Sequence, residues 1–323
     1  MDSTILGNVA EAEEACGDFG CFPVGGEGAG VFSHGHLVLV NSTVSGNMGT
    51  TAVGIEYFGT LTLTDSTVSA NTGGGIEGGV WVALTNSAVS ENVGSGISAR
   101  GIVQVMNSTV SQNTAGGIVG GPGTLIVINS TVSGNTADEA GGGIRVHGDS
   151  ETETEVFLVN STVSGNTASN GSGIACFSVT LTLLNSTVSD SIYVTSGDAT
   201  DPPASIVTTA TLIEGACTQE GGEVTWTSNG YNIESPGNTC GFDQEGDQAS
   251  VSADDLNLGT LADNGGPTKT HALGLLPTPS VAIDQIPEAD CEVDTDQRGK
   301  PRPAGAESKC DVGAFERQPT DSN

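Results

Sequence analysis

The chain has 323 residues, enough for one or two domains with a sizeable core. It holds 48 glycines, 4% aromatic residues and a formal net charge of −31, a composition that speaks for short strands with glycine-rich turns and against long helices. Residues 1–200 hold 18 acids against Arg100 and Arg145 alone. A field of that sign along the whole chain argues against nucleic acid and anionic membranes as partners. It also repels acidic polysaccharides unless divalent cations bridge the two. No apolar run reaches membrane-spanning length, so membrane insertion is not expected.

Met1 leads directly into Asp2-Ser3-Thr4-Ile5-Leu6-Gly7-Asn8, a truncated copy of a heptad. The full form, Asn41-Ser42-Thr43-Val44-Ser45-Gly46-Asn47, returns at Asp65, Asn86, Asn107, Asn129, Asn160 and Asn185. Successive full copies start 24, 21, 21, 22, 31 and 25 residues apart, a period that signals a solenoid. Within each period a glycine-rich turn leads to a Gly-Ile pair, then an alternating run such as Leu61-Thr62-Leu63-Thr64, then the heptad. Three short strands per turn of about 22 residues predict an all-β parallel β-helix solenoid rather than a leucine-rich repeat. Alternation directs inward the Ile after Gly, the pairs Leu61/Leu63 to Leu181/Leu183, and the heptad valines Val44 to Val188. The closing asparagines are expected to stack as an amide ladder.

Between Asp2 and Asn41 lie Cys16 and Cys21, read as a stapled surface loop. His34 and His36 share one strand face, a weak candidate for a transition-metal site that lacks a third ligand. The column after the Gly-Ile pair reads Glu56, Glu77, Ser98, Val119, Arg145, Ala175, with Arg100 two residues beyond Ser98. Glu56 and Glu77 would lie ~5 Å apart in adjacent coils, a spacing suited to a glycoside hydrolase pair or a cation. The competing reading is a solvated acidic patch. A lyase would draw on Arg100, but its support is thin. A second acidic pair, Glu91 and Asp190 in the column before the closing Asn, would be separated by four coils and fails.

The outward side of the middle run is unusually apolar: Trp81, Ile102, Met106, Ile126, Ile128, Phe157, Val159 and Leu184. Such a stripe marks a covered or contact surface. The expected cover is a loop or the C-terminal region; otherwise Trp81, Ile126, Ile128 and Phe157 are contact candidates for a glycan or protein. The outward heptad residues, Thr109, Thr131 and Thr162 among them, form a hydroxyl file. That file resembles those of ice-binding solenoids but also suits an ordinary solvated strand. The insertion with His147, Asp149, Glu151, Glu153 and Glu155 could hold calcium if extended, and otherwise reads as a solvated loop. No cofactor is required; Ca2+ is the one ion the acidic positions suggest.

After Asp190 the heptad fades. Residues 190–235 read as degenerate coils, so 1–235 form the β-helix and 236–323 a C-terminal capping module. Sequence neighbours suggest the disulfides Cys16–Cys21, Cys217–Cys240 and Cys291–Cys310, with Cys176 left over, although sequence alone does not fix the pairing.

Four stretches of the last third are distinctive: Leu261-Ala262-Asp263-Asn264-Gly265-Gly266-Pro267-Thr268-Lys269-Thr270-His271-Ala272-Leu273, Ser280-Val281-Ala282-Ile283-Asp284, Asp296-Gln297-Arg298-Gly299-Lys300-Pro301-Arg302-Pro303 and Cys310-Asp311-Val312-Gly313-Ala314-Phe315-Glu316. Together they resemble the C-terminal module of bacterial secreted choice-of-anchor Q proteins with right-handed, pectate-lyase-like β-helix repeats. That resemblance implies an extracellular or cell-surface location, with the export signal and anchor lying outside this chain. It carries no uniform activity. The expected function is a structural or adhesive surface module with an extracellular glycan or surface protein as partner. The alternatives are a polysaccharide lyase or hydrolase, and ice binding.

Overall fold

A computed structural model describes residues 3–8, 30–49, 54–197 and 202–321, and the backbone of 13–17 and 20–24. The chain winds into a parallel β-helix. Each coil contributes an entry strand such as Ile55–Tyr57, a middle strand such as Thr60–Thr64 and a heptad strand such as Thr67–Ser69. Heptad strands stack as one ten-stranded sheet, and entry and middle strands together form a sixteen-stranded sheet. Pairing is in register from coil to coil, with Val44 beside Val68, Val68 beside Val89 and Val132 beside Val163.

The heptad is a corner device. Its first residue has positive φ in every full copy, from Asn41 to Asn185, and in the copies from Asn41 to Asn160 so has its sixth, whether Gly46, Ala70, Glu91 or Gln112. Asn and Asp tolerate this left-handed region, which accounts for their place at the head of the repeat. Between the two corners a three-residue strand buries its valine and turns two hydroxyl residues outward.

Two polar columns run along the core. In the first, each closing Asn donates its backbone N–H and its amide to the Oδ1 of the next Asn. Asn71 reaches Asn92 at 3.1 and 3.0 Å, and Asn92 reaches Asn113 at 3.1 and 2.9 Å. The second column is built from the serine that follows the heptad's leading Asn or Asp. Its N–H donates to the equivalent Ser Oγ of the next coil, as Ser66 does to Ser87 at 3.1 Å. The same hydroxyl donates to the carbonyl two residues back, Ser87 to Thr85 at 2.8 Å. These ladders satisfy groups that would otherwise be buried without partners.

The asparagine ladder ends on Asp190, whose carboxylate accepts from Asn166 N–H at 3.0 Å, from its amide at 2.9 Å and from Gly165 N–H at 3.0 Å. Asp190 therefore belongs to the ladder and not to the outward corner column with Glu91, because that heptad drops its corner residue. Burial raises its pKa against the pull of those donors. Ala210 and Tyr231 keep the left-handed corner, and Thr211 and Asn232 keep the serine position, so the coils after Asp190 remain regular in backbone while their sequence drifts. The valine column closes on Glu234, fully buried, which accepts from Thr239 N–H, Thr239 Oγ1 and Cys240 N–H. Beside it lies the Cys217–Cys240 disulfide.

Tyr57 is a large polar side chain inside the regular coils. Its ring is fully buried and its hydroxyl has no hydrogen-bond partner among the described residues. Burial raises its pKa. A Cβ at Gly79 would lie 1.8 Å from that ring, so Gly79 is required where Tyr57 stands. Because an unmet buried hydroxyl costs roughly 1–3 kcal/mol, Tyr57→Phe is expected to stabilise the protein by about 1 kcal/mol. A urea midpoint unchanged or lowered by the substitution would contradict that.

Residues beyond 235 fold back along the heptad sheet. A one-turn helix, Ala253–Leu256, is capped by Ser252. It precedes an antiparallel pair, Leu258–Ala262 with Thr270–Leu273, and a second, Ile286–Pro287 with Lys309–Cys310, the latter joined through Cys291–Cys310. Leu256, Leu273, Ile286 and Phe315 share a core with Leu212 and Ile233 of the last coils. Strands Glu13–Gly17 and Gly20–Val24 form a hairpin with Cys16 opposite Cys21; their side chains, and so that disulfide, lie outside the described residues.

Candidate binding site

The C-terminal residues settle which outward surface stays open. Thr131 Oγ1 donates to Lys269 O at 2.6 Å, and Gln297 lies between Thr131 and Thr162, at 2.9 and 2.6 Å. His271 Nε2 meets Ser164 Oγ at 2.8 Å, and Ala314 N–H donates to Thr187 Oγ1 at 3.0 Å. Thr131 and Thr162 are thus buried, at 1% and 0% exposure, and are corrected from ligand-contact candidates to docking points for the chain's own C-terminal region. Their hydroxyls suit both uses, so sequence could not separate them. Thr109 stays partly open. The apolar middle-strand face, expected beneath a cover, is not where these residues lie: Trp81, Ile102 and Met106 remain exposed at 45%, 42% and 38%. Ile126, Ile128 and Phe157 are half-buried among their neighbours on the same face.

The entry-strand face carries the more concave feature. Glu56 and Glu77 are register partners in adjacent coils, followed by Ser98, Val119 and Arg145 in the same column. Glu77, Ser98, Val119, Arg100, Phe58 and His147 line a trough of about 900 Å3 together with Gly78–Gly79 and Gly120–Pro122. The glycines remove side chains where entry and middle strands meet. In two coils, Ile97–Met106 and Ile118–Ile128, those strands run continuously through this corner. A Cβ at Gly121 would stand 2.9 Å from Arg100 Cγ, so that glycine lets the arginine stem lie across the next coil.

Aromatic stacks bracket the trough. At one end His34 stacks on Phe58 at 5.1 Å with Phe32 edge-on; at the other His147 stacks on Phe177 at 4.0 Å and Tyr193 meets Phe177 at 5.9 Å. Phe58 and His147 are four coil steps apart, or ~19 Å. Burial first, and then the charge of Arg145, lowers the His147 pKa, so its ring is neutral near pH 7. Arg145 is half-buried, and its Nε has no hydrogen-bond partner among the described residues.

The other candidates are engaged locally. His34 is part of the aromatic stack, and His36 Nδ1 meets Thr60 Oγ1 at 2.6 Å. Asp149 accepts the N–H groups of Glu151 and Thr152 at 3.0 and 2.7 Å, which closes its own turn rather than extending a strand. Among the described residues no three His, Cys, Asp or Glu converge on one point. Sequence reasoning found Glu56, Glu77 and Arg100, but missed that His147 joins them. The signal was present in parity: His147 is two residues beyond Arg145 in the shared column.

Repeating coils with in-register parallel strands make this chain a parallel β-helix. A family model described as a right handed beta helix region matches residues 18–168, a span that runs through the Asn160 heptad. No curated protein and no solved structure matches the chain. No helix among the described residues is long and apolar enough to cross a membrane.

Proposed function

We propose that the protein is an extracellular structural module that holds a saccharide chain in the entry-face trough. The observation that carries this reading is the trough itself, where hydrogen-bonding groups of Glu77, Ser98, Arg100 and His147 converge between two aromatic stacks. Polar groups in a concave, partly apolar site fix orientation, while aromatic faces accept the C–H face of a sugar ring. The ~4.8 Å coil rise sets these groups at a repeat close to that of a pyranose chain. Fold alone does not supply a function, so the reading stands on the trough.

Glycan-array binding followed by calorimetry tests it. Arg100→Ala is expected to weaken the best array ligand about tenfold or more while leaving the denaturation midpoint unchanged, since Arg100 is exposed. Equal affinity in Arg100→Ala and the parent would remove the trough from the account.

A second reading is favoured by the register pairing of Glu56 with Glu77: a glycoside hydrolase built on the same trough. Glu77 stands in the trough, with Glu56 beside it and half-buried. Reducing-sugar release abolished by Glu77→Gln would establish that activity over simple binding. Ice binding loses support, because the hydroxyl file is interrupted by the C-terminal residues over Thr131 and Thr162.

A further inference from the structure

Among the described residues, nine middle strands stack in register into one broad face, from His36–Val40 to Val224–Ser228. Apart from His36, Glu155 is the sole ionisable side chain among the outward positions of these strands. On a chain with 39 acids and a net charge of −31, this face presents almost no charge, and it differs from the equally uncharged heptad face in being apolar and open rather than hydroxyl-lined and partly covered. Nothing among the described residues is docked on it, since the C-terminal residues occupy the heptad sheet instead. Its centre is apolar: Ile126 and Phe157 are register partners in one column, Ile128 and Val159 in the next.

We propose that this face pairs two copies of the chain about a two-fold axis near Ile126 and Phe157. Two like-charged copies repel through their acidic surfaces, and the repulsion is least where neither presents a carboxylate. The area suffices. Nine strands at ~4.8 Å and five residues at ~3.3 Å give a face of about 700 Å2 per copy, or about 1,400 Å2 in the pair, within the range of specific interfaces. A two-fold arrangement places the same apolar patch on both sides, as closed dimers require. Glu155 lies at the edge of its strand, where a rim position leaves it in water.

Sedimentation equilibrium of the whole chain over two decades of concentration tests the proposal. The parent is expected to shift from one chain mass to two, and added sodium chloride to tighten the pairing by screening the remaining acids. Phe157→Lys and Ile126→Lys are each expected to weaken the pairing by about 30-fold or more, the scale of a buried contact at the centre of an interface. Thr43→Lys, on the heptad sheet, is expected to leave it unchanged. Circular dichroism confirms that each variant is folded. A parent that stays a monomer throughout overturns the proposal, as does a dimer that survives both central lysines or is lost in Thr43→Lys. A monomer retained on a neutral glycan through Phe157 overturns it as well, because the face then has a different occupant. None of these variants touches the trough, so binding at Arg100 is read independently.

Discussion

Replacing Asn113 by alanine is expected to lower stability by about 4 kcal/mol. Asn113 Oδ1 accepts two hydrogen bonds from Asn92, and its amide donates to Asn135 Oδ1 at 2.9 Å and Val89 O at 3.2 Å. All of these lie in the buried interior, with Asn92, Asn113 and Asn135 no more than 1% exposed. Alanine strands the Asn92 N–H, at roughly 1–3 kcal/mol, and removes further bonds at roughly 1 kcal/mol each. Neighbouring Ser111→Ala, on the outward side, is expected within about 0.5 kcal/mol of the parent. Urea denaturation followed by the two tryptophans, Trp81 and Trp226, reads both the middle and the end of the rod. A loss below about 1 kcal/mol would show that the ladder is tolerated rather than required.

The second large effect lies in the C-terminal region. Arg302 is fully buried, donating to Glu316 Oε2 at 3.1 Å and to the carbonyls of Asp311 and Gly313. Arg302→Met is expected to destabilise this region by roughly 3–5 kcal/mol, because it leaves the Glu316 carboxylate buried without its cation. Arg302→Lys is expected to recover only part of the loss, since an ammonium does not reproduce the guanidinium fork that spans three acceptors. Faster tryptic cleavage after Arg298 and Lys309 under native conditions reports it; cleavage at the parent rate in Arg302→Met would refute it.

The pH dependence has a definite sign. Burial, followed by the charge of Asp311, pushes Glu316 up to about 7, above the ordinary carboxylate value near 4.5. A group whose folded pKa is raised gives its full contribution below its unfolded pKa and loses it as pH rises through the folded one. The region is therefore expected to loosen as pH climbs from about 4.5 to about 7, and Arg302→Met to extend that loss to higher pH by removing the charge that favours the ionised form.

Much of the fold was legible because solenoids expose their physics as period. The valine column, the inward middle-strand pairs and the asparagine ladder all follow from alternation and repetition, and the pairs Cys217–Cys240 and Cys291–Cys310 followed from proximity in sequence. Asn41 and its equivalents also advertised their left-handed corner through residue type, although that corner becomes visible only in the backbone. What the sequence withheld is the docking of the last third. Thr131 and Thr109 are equivalent within the repeat, yet one is buried by Gln297 and Lys269 and the other is not. No periodicity encodes a contact between residues 166 positions apart. Glu56 and Glu77 could be paired because they share a column, whereas the trough depends on glycines whose role is the space they leave.

The asparagine ladder has a direction. Every amide hands one hydrogen to the Oδ1 of the following coil and accepts at its own Oδ1 from the preceding one, and Asp190, with acceptors only, stops the sequence. A whole coil can therefore be inserted or removed upstream of Asp190 without changing what any remaining amide meets. Deleting residues 65–85, for instance, brings Asn47 to Asn92 as it now meets Asn71. Downstream of Asp190 the same operation would break a closed end. The rod is a counter with a fixed zero, and its reach can be adjusted in steps of one coil.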